Sequence, residues 1–185
     1  KMKLLFKQRF FSWFDSYDIY DEMGNTVFTV GGDVAWGHLL RIYDALGNEV
    51  GYIKEKIFTW FPKFEMYLGN NYVGSINKEF SFFRPRFNID YNGWQVEGNF
   101  FEWDYDITDR IGQRVATVNK ELWNWTDTYV IDVYDSLNAV CILMIVLAID
   151  AEKGIYYAFT MRDNPKSTRY FAFRLPEVSD GELCE

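Results

Sequence analysis

The residues of this chain best suited to hold a ligand are basic pairs set among aromatics: Lys54 and Lys56 in "IKEKIF", and Arg84 and Arg86 in "FFRPRF". Strand alternation would put Arg84 and Arg86 on one face, and Phe82, Phe83 or Phe87 could enter a lipid interface beside an anionic headgroup. Solvated cations pairing with neighbouring acids produce the same pattern. A second constellation, "FFEWDYDIT", would place Glu102, Asp104 and Asp106 on one strand face and Phe101, Trp103 and Tyr105 on the other. Three carboxylates on one face can hold Ca²⁺ or form an acid–base pair. An ordinary strand with one solvated and one buried face needs nothing else to explain it. An EF-hand does not fit, because Asp109 stands where its Gly is required and Val115 where its Glu is required.

Catalytic chemistry finds little support. His38 is the single histidine, so a His-rich metal site is excluded, and a base needs a partner that the sequence does not locate. Cys141 lies in an apolar run where burial raises a thiol pKa, and Cys184 lies in an acidic end that disfavours thiolate. The phosphate-binding, dinucleotide, nucleophile-elbow and zinc-protease motifs are all missing. The expectation is a non-enzymatic protein without a cofactor or metal.

Composition sets the frame for these residues. Hydrophobic residues are 49% and aromatics 20% of the 185, far from a disordered composition and enough for one domain with a large core. Lys and Arg number 19 against 27 Asp and Glu, a formal charge of −8 that disfavours nucleic acid and general polyanion binding. Two cysteines in such different settings do not suggest a disulfide framework, and "LLFKQRF" is interrupted by Lys7, Gln8 and Arg9 too soon for an export signal. A cytoplasmic location is expected.

The elements that must position these side chains are mostly hairpins. Turns recur as "YDEMGNTV", "YDALGNEV", "YLGNNYV", "YNGWQV" and "TDRIGQRV". In the D-x-x-G form the carboxylates of Asp21, Asp44 and Asp109 can accept backbone N–H bonds while Gly24, Gly47 and Gly112 take positive φ. Regular spacing predicts an antiparallel barrel or sandwich of many strands. A fainter repeat at 109 − 44 = 65 residues matches Ile42 with Ile107, Gly47 with Gly112 and Val50 with Val115, and suggests two similar halves of one sheet system.

The pattern then changes at "YDSLNAVCILMIVLAIDAEKG", where Asp135 or Ser136 can cap a helix over 136–152. Ala139 to Ile149 is apolar on every face, so protein or lipid must surround it. From Leu137 to Ile149 such a helix spans about 20 Å, short of the roughly 30 Å of a bilayer core, so no transmembrane span is expected. A helix threaded through the middle of the β-structure accounts for the same residues.

The hairpins with their D-x-x-G-N/Q-x-V turns, Lys54, Lys78 and Lys120 after the following strands, and "VYDSLNAVCILMIVLAID" together resemble the LURP-one-related family of the tubby C-terminal-like superfamily, with phospholipid scramblases more distant. The resemblance implies a mainly β fold, a closed antiparallel β-barrel of about twelve strands around a central buried hydrophobic helix. The barrel should cover 2–153, leaving 154–185 as a C-terminal β-hairpin, "IYYAFTM" with "TRYFAFRL", and an acidic tail. Scramblase-like relatives also suggest calcium near the helix entry, where Asp132 and Asp135 stand, but two carboxylates make no site. Expected partners are a protein or a second copy of the chain; the alternative is an anionic phospholipid or phosphoinositide held by Lys54, Lys56, Arg84 and Arg86. A hollow, ligand-carrying barrel is a third alternative, and it would require an amphipathic helix outside.

Overall fold

The computed structural model describes residues 1–7, 16–35, 37–56, 59, 63–79, 86–121 and 128–162, of which 7, 34, 35, 37, 38, 79, 86, 101, 121 and 153–162 are described by backbone alone. Among these run the strands β1 (Met2–Lys7), β2 (Tyr17–Tyr20), β3 (Thr26–Ala35), β4 (Gly37–Asp44), β5 (Glu49–Glu55) and β6 (Lys63–Leu68). They continue with β7 (Asn71–Glu79), β8 (Arg86–Ile89), β9 (Gln95–Asn99), β10 (Asp104–Thr108), β11 (Arg114–Glu121) and β12 (Thr128–Val133), followed by the helix α1 (Ala139–Arg162). Each strand pairs antiparallel with its chain neighbours, and β12 returns to β1 with Met2 opposite Val133 and Lys7 opposite Thr128. The sheet therefore closes on itself as an up-and-down barrel, in which each described strand has a partner strand on both sides.

Local chemistry sets the hairpins. Gly24, Gly47 and Gly112 sit at φ of 85°, 83° and 78°, each at the end of a D-x-x-G turn. The backbone N–H of each glycine reaches the carbonyl of its Asp at 3.0–3.1 Å, and the register slips by one residue after Ile19, Ile42 and Ile107. That combination is a type I turn closed by a glycine bulge, the usual three-residue hairpin connection. Because the sheet is a meander, these three turns, those at 69–70 and 90–94, and the entry to α1 all lie at one end of the barrel.

Alternation then fills the interior. Leu4, Ile19, Val30, Ile42, Ile53, Met66, Ile107, Val118 and Ile131 point inward and are fully buried, as are Ile142 to Ile149 of α1, none of them more than 1% exposed. The helix is thus the packing core of a solid barrel. The 65-residue repeat has a structural meaning: the β4–β5 and β10–β11 hairpins share their bulge and register and stand six strands apart in the ring of twelve, on opposite walls. Gly51 occupies the place that Ala116 takes in the other copy. A Cβ at Gly51 would collide with the terminal methyl of Met144 and the carbonyl of Tyr67, so the helix and the neighbouring strand approach closer there than any larger residue permits.

Two expectations need correction. Asp135 caps a short 3₁₀ turn, Ser136–Asn138, with its side chain accepting from the Leu137 N–H, and α1 begins only at Ala139. At the other end, α1 runs through Gly154 and Ile155 to Met161, the expected first strand of a hairpin, and stops at Arg162. One Gly inside a helix costs only about 1 kcal/mol against Ala, too little to end a helix by itself. The second expected strand, 168–175, lies outside the described residues. The chain divides into two compact units, 1–152 and 153–185.

Candidate functional site

With the interior filled, functional side chains must be sought on the outward positions of the strands. In β5, Gly51 and Ile53 face inward, so Tyr52 and Lys54 face out. Lys54 lies opposite Glu65 of β6, and the Lys56 Nζ is 3.1 Å from Glu65 Oε1. Glu65 also accepts from the Tyr67 hydroxyl at 3.0 Å, Tyr67 stacks on Tyr52 with centroids 4.5 Å apart, and the Arg41 guanidinium lies 5.6 Å over the Tyr52 ring. Burial and this acceptor together raise the Tyr67 pKa. This patch of wall is largely self-satisfied. Arg86 opens β8, three strands round from β5 at about 14 Å, and only its backbone is described, while Arg84 lies outside the described residues. Lys54 and Lys56 are therefore not brought beside Arg86.

A concave feature without any local sequence signal lies between those positions. A groove of about 590 Å³ crosses the outer faces of β6, β7 and β8 and is lined by Lys63, Ser75, Asn77, Asn88, Asp90, Tyr91, Asn92 and Arg110. It exists because β7 and β8 are drawn together at Gly74, where a Cβ would strike the Asp90 carbonyl, and because Arg110 lies over Gly93 of the next turn. The Asn77 side chain donates to Ser75 Oγ at 3.0 Å. Lys63 and Arg110 make no ion pair among the described residues. Hydroxyls, amides, two cations and one carboxylate can bind a polar anionic group; the lining has no histidine or cysteine to activate a nucleophile.

The carboxylate candidates separate. Glu102 belongs to a 3₁₀ turn, Phe100–Glu102, and Trp103 takes a left-handed φ of 56°, so β10 begins only at Asp104 and Glu102 does not share its face. Asp106 pairs with Arg114 at 3.0 Å. Asp132 pairs with Lys1 at 3.1 Å, while Asp135 is engaged as a cap. Among the described residues no group of three His, Cys, Asp or Glu is placed to hold a metal. Cys141 is buried in the first turn of α1; burial raises its thiol pKa, and a hydrogen bond with Tyr91 opposes that. The backbone of His38 is in β4, and Cys184 lies outside the described residues.

On sequence alone Asp150, Glu152 and Lys153 mark the return of the chain to water, but the far end of the barrel encloses charge. Asp150 and Glu152 of α1 are buried, and Lys78 of β7 donates to Glu152. Burial, and secondarily the Asp150 charge, push the phenols of Tyr17 and Tyr105 well above their ordinary values. Aromatic rings pack this end, with Trp103 stacked on Tyr129 at 4.1 Å and Phe6 against Tyr17 at 5.2 Å.

A closed twelve-stranded meander wound round an apolar helix has no room for cargo, which removes the hollow-carrier alternative and leaves a solid β-barrel of the tubby C-terminal-like kind. The chain belongs to the LURP-one-related family, whose model matches residues 2–150. It is similar to the uncharacterized protein YxjI of Bacillus subtilis (strain 168), with 27% identity over 162 residues, 84% of this chain and 99% of that protein. No solved structure matches. Among the described residues no helix is long and apolar enough to cross a membrane.

Proposed function

We propose that this chain is a non-enzymatic binding module that meets a protein partner on its outer surface. The observation that carries this is the filled interior: with Ile142 to Ile149 shielded on all sides, specificity has to reside outside the barrel. The short polar turns and the closed sheet supply a rigid surface whose side chains can vary without loss of fold, as a scaffold requires. A cytoplasmic module fits the free, buried thiol of Cys141. The β7–β8 groove favours a second reading, a peripheral contact with an anionic phospholipid headgroup through Lys63 and Arg110.

Quantitative affinity co-purification of the tagged chain from its native cells tests the first reading, with sedimentation on vesicles testing the second. A partner recovered in near-stoichiometric amount, and resistant to detergent, is the expected result. Recovery of the chain alone, together with sedimentation on phosphoinositide vesicles but not on phosphatidylcholine vesicles at low salt, would replace the first reading by the second.

A further inference from the structure

The four most exposed large aliphatic side chains among the described residues are Met23, Leu46, Ile111 and Leu137, at 84%, 86%, 77% and 90% exposure. Each stands two residues after an aspartate whose carboxylate Oδ1 accepts its backbone N–H: Met23 from Asp21 and Leu46 from Asp44 at 2.9 Å, Ile111 from Asp109 at 3.0 Å, and Leu137 from Asp135 at 3.1 Å. Three of these units are hairpin turns and the fourth is the 3₁₀ entry to α1, so one local device recurs in two kinds of backbone.

The ring order places them side by side. Running from β10 through β11, β12, β1, β2, β3 and β4 to β5, the connections at one end carry Ile111, Leu137, Met23 and Leu46 in turn. Neighbouring tips are roughly 10 Å apart, two strand spacings. The other two turns at this end, 69–70 and 90–94, are Gly, Asn and Tyr-rich and present no such aliphatic side chain. Turn chemistry does not ask for an aliphatic residue at these positions, where Asp, Asn or Ser serve as well. Four solvated aliphatic side chains thus stand along one half of one rim, while the other two turns at that end present none.

The charges beside the tips decide what this row contacts. Every tip has a carboxylate fixed directly beneath it, and Asn25 and Asn48 hold those of Asp21 and Asp44 ionised by hydrogen bonds that lower their pKa. The cations at this rim are mostly engaged, Lys1 with Asp132, Lys3 with Glu22 and Arg114 with Asp106, while Arg110 lies against Gly93. The four turn carboxylates, on a chain of net −8, therefore repel anionic lipid and resist insertion of the tips into a bilayer. A protein surface presenting Lys or Arg between apolar side chains meets both features at once.

We infer that the rim formed by Met23, Leu46, Ile111 and Leu137, with Asp21, Asp44, Asp109 and Asp135 beneath them, is a docking surface for a basic, amphipathic region of a protein partner. It rests on the binding-module reading and assigns that module's surface.

The test uses the full chain and a variant carrying Met23→Ser, Leu46→Ser, Ile111→Ser and Leu137→Ser. These side chains are already solvated, so the variant should match the parent in circular dichroism and thermal midpoint. The probe is a fluorescent amphipathic helical peptide of leucine and lysine, read by anisotropy, with a leucine–glutamate peptide as control. The parent should bind the lysine peptide, weaken with added salt and ignore the glutamate peptide; the variant should bind at least tenfold more weakly although all four carboxylates remain. Equal binding by the variant would overturn the inference, since the attraction would then be charge alone, and so would absence of binding by the parent. Partition of the parent, but not the variant, onto phosphatidylcholine vesicles would also overturn it in favour of a membrane. If the variant still co-purifies the partner retained by the parent, the binding module stands and this rim is not its surface.

Discussion

At the scale of single residues, the most informative groups are the turn aspartates. The Asp21 carboxylate accepts the N–H groups of Met23 and Asn25 and the Asn25 side-chain amide, and Asp44 does the same for Leu46 and Asn48. All these donors favour the charged form, with the Asn side chain the largest influence, so both folded-state pKa values lie below the unfolded one. A group whose pKa is lowered by folding adds stability at pH above its unfolded value, near 3.9, and loses that contribution as pH falls through its folded value. The Asp21→Asn, Asp44→Asn double variant should therefore melt below the parent at pH 7, and the gap should close as pH is taken from about 5 toward 2. Thermal midpoints measured across that range check it. A gap that stays constant would mean the side-chain geometry, and not the charge, holds the turns.

At the scale of elements, the same turns explain how much could be read in advance. D-x-x-G fixes a hairpin within five residues, and an all-apolar run shorter than a bilayer leaves little choice but burial, so the hairpins and the buried helix were legible from local rules. Those rules left barrel and sandwich open, and closure was implied by the family resemblance. The second 3₁₀ turn at Ser136–Asn138 and the extension of α1 past Gly154 were not legible, because a weak breaker does not announce whether its neighbours will continue the helix. The groove was hidden for another reason: Lys63, Ser75, Asp90 and Arg110 are brought together only by the pairing of strands distant in sequence. Gly51 likewise looked like an ordinary strand glycine, yet it is the place where α1 and the wall come closest. Gly51→Ala should cost about 1–3 kcal/mol through overpacking, and Met144→Ala about 2–5 kcal/mol through the cavity it leaves. The double variant should lose less than the sum of the two, because removing the Met144 methyl frees the space the new Cβ needs. Urea unfolding of the four proteins gives the coupling; strict additivity would show that the Tyr67 carbonyl, not Met144, sets the limit.

At the scale of the whole molecule, closure joins every element to one structure. α1 from Ala139 to Glu152 has no polar stripe and is surrounded by side chains from the whole ring, while the ring itself has only that helix to bury its inward faces against. Neither part has a folded state to retreat to alone, since an empty twelve-stranded sheet would expose its apolar lining and a free helix would expose all its faces. Unfolding of residues 1–152 should accordingly be a single cooperative event with no local route to the helix centre. Ala148, fully buried, is a suitable reporter: Ala148→Cys, in a background with Cys141→Ser and Cys184→Ser, places a thiol in the middle of the barrel with little change in volume. Under conditions where reclosing outruns the reagent, its labelling by a disulfide reagent gives the free energy of the opening that exposes it. That value should equal the global unfolding free energy of the same variant from urea titration, and both should fall together when Gly51→Ala is added. An opening free energy several kcal/mol below the global value would reveal a barrel that parts between two strands to reach its helix. The pairing of β1 with β2, which among the described residues has only two partner pairs, Leu5 with Tyr20 and Phe6 with Ile19, against six between β1 and β12, would then be the first seam to examine by hydrogen exchange.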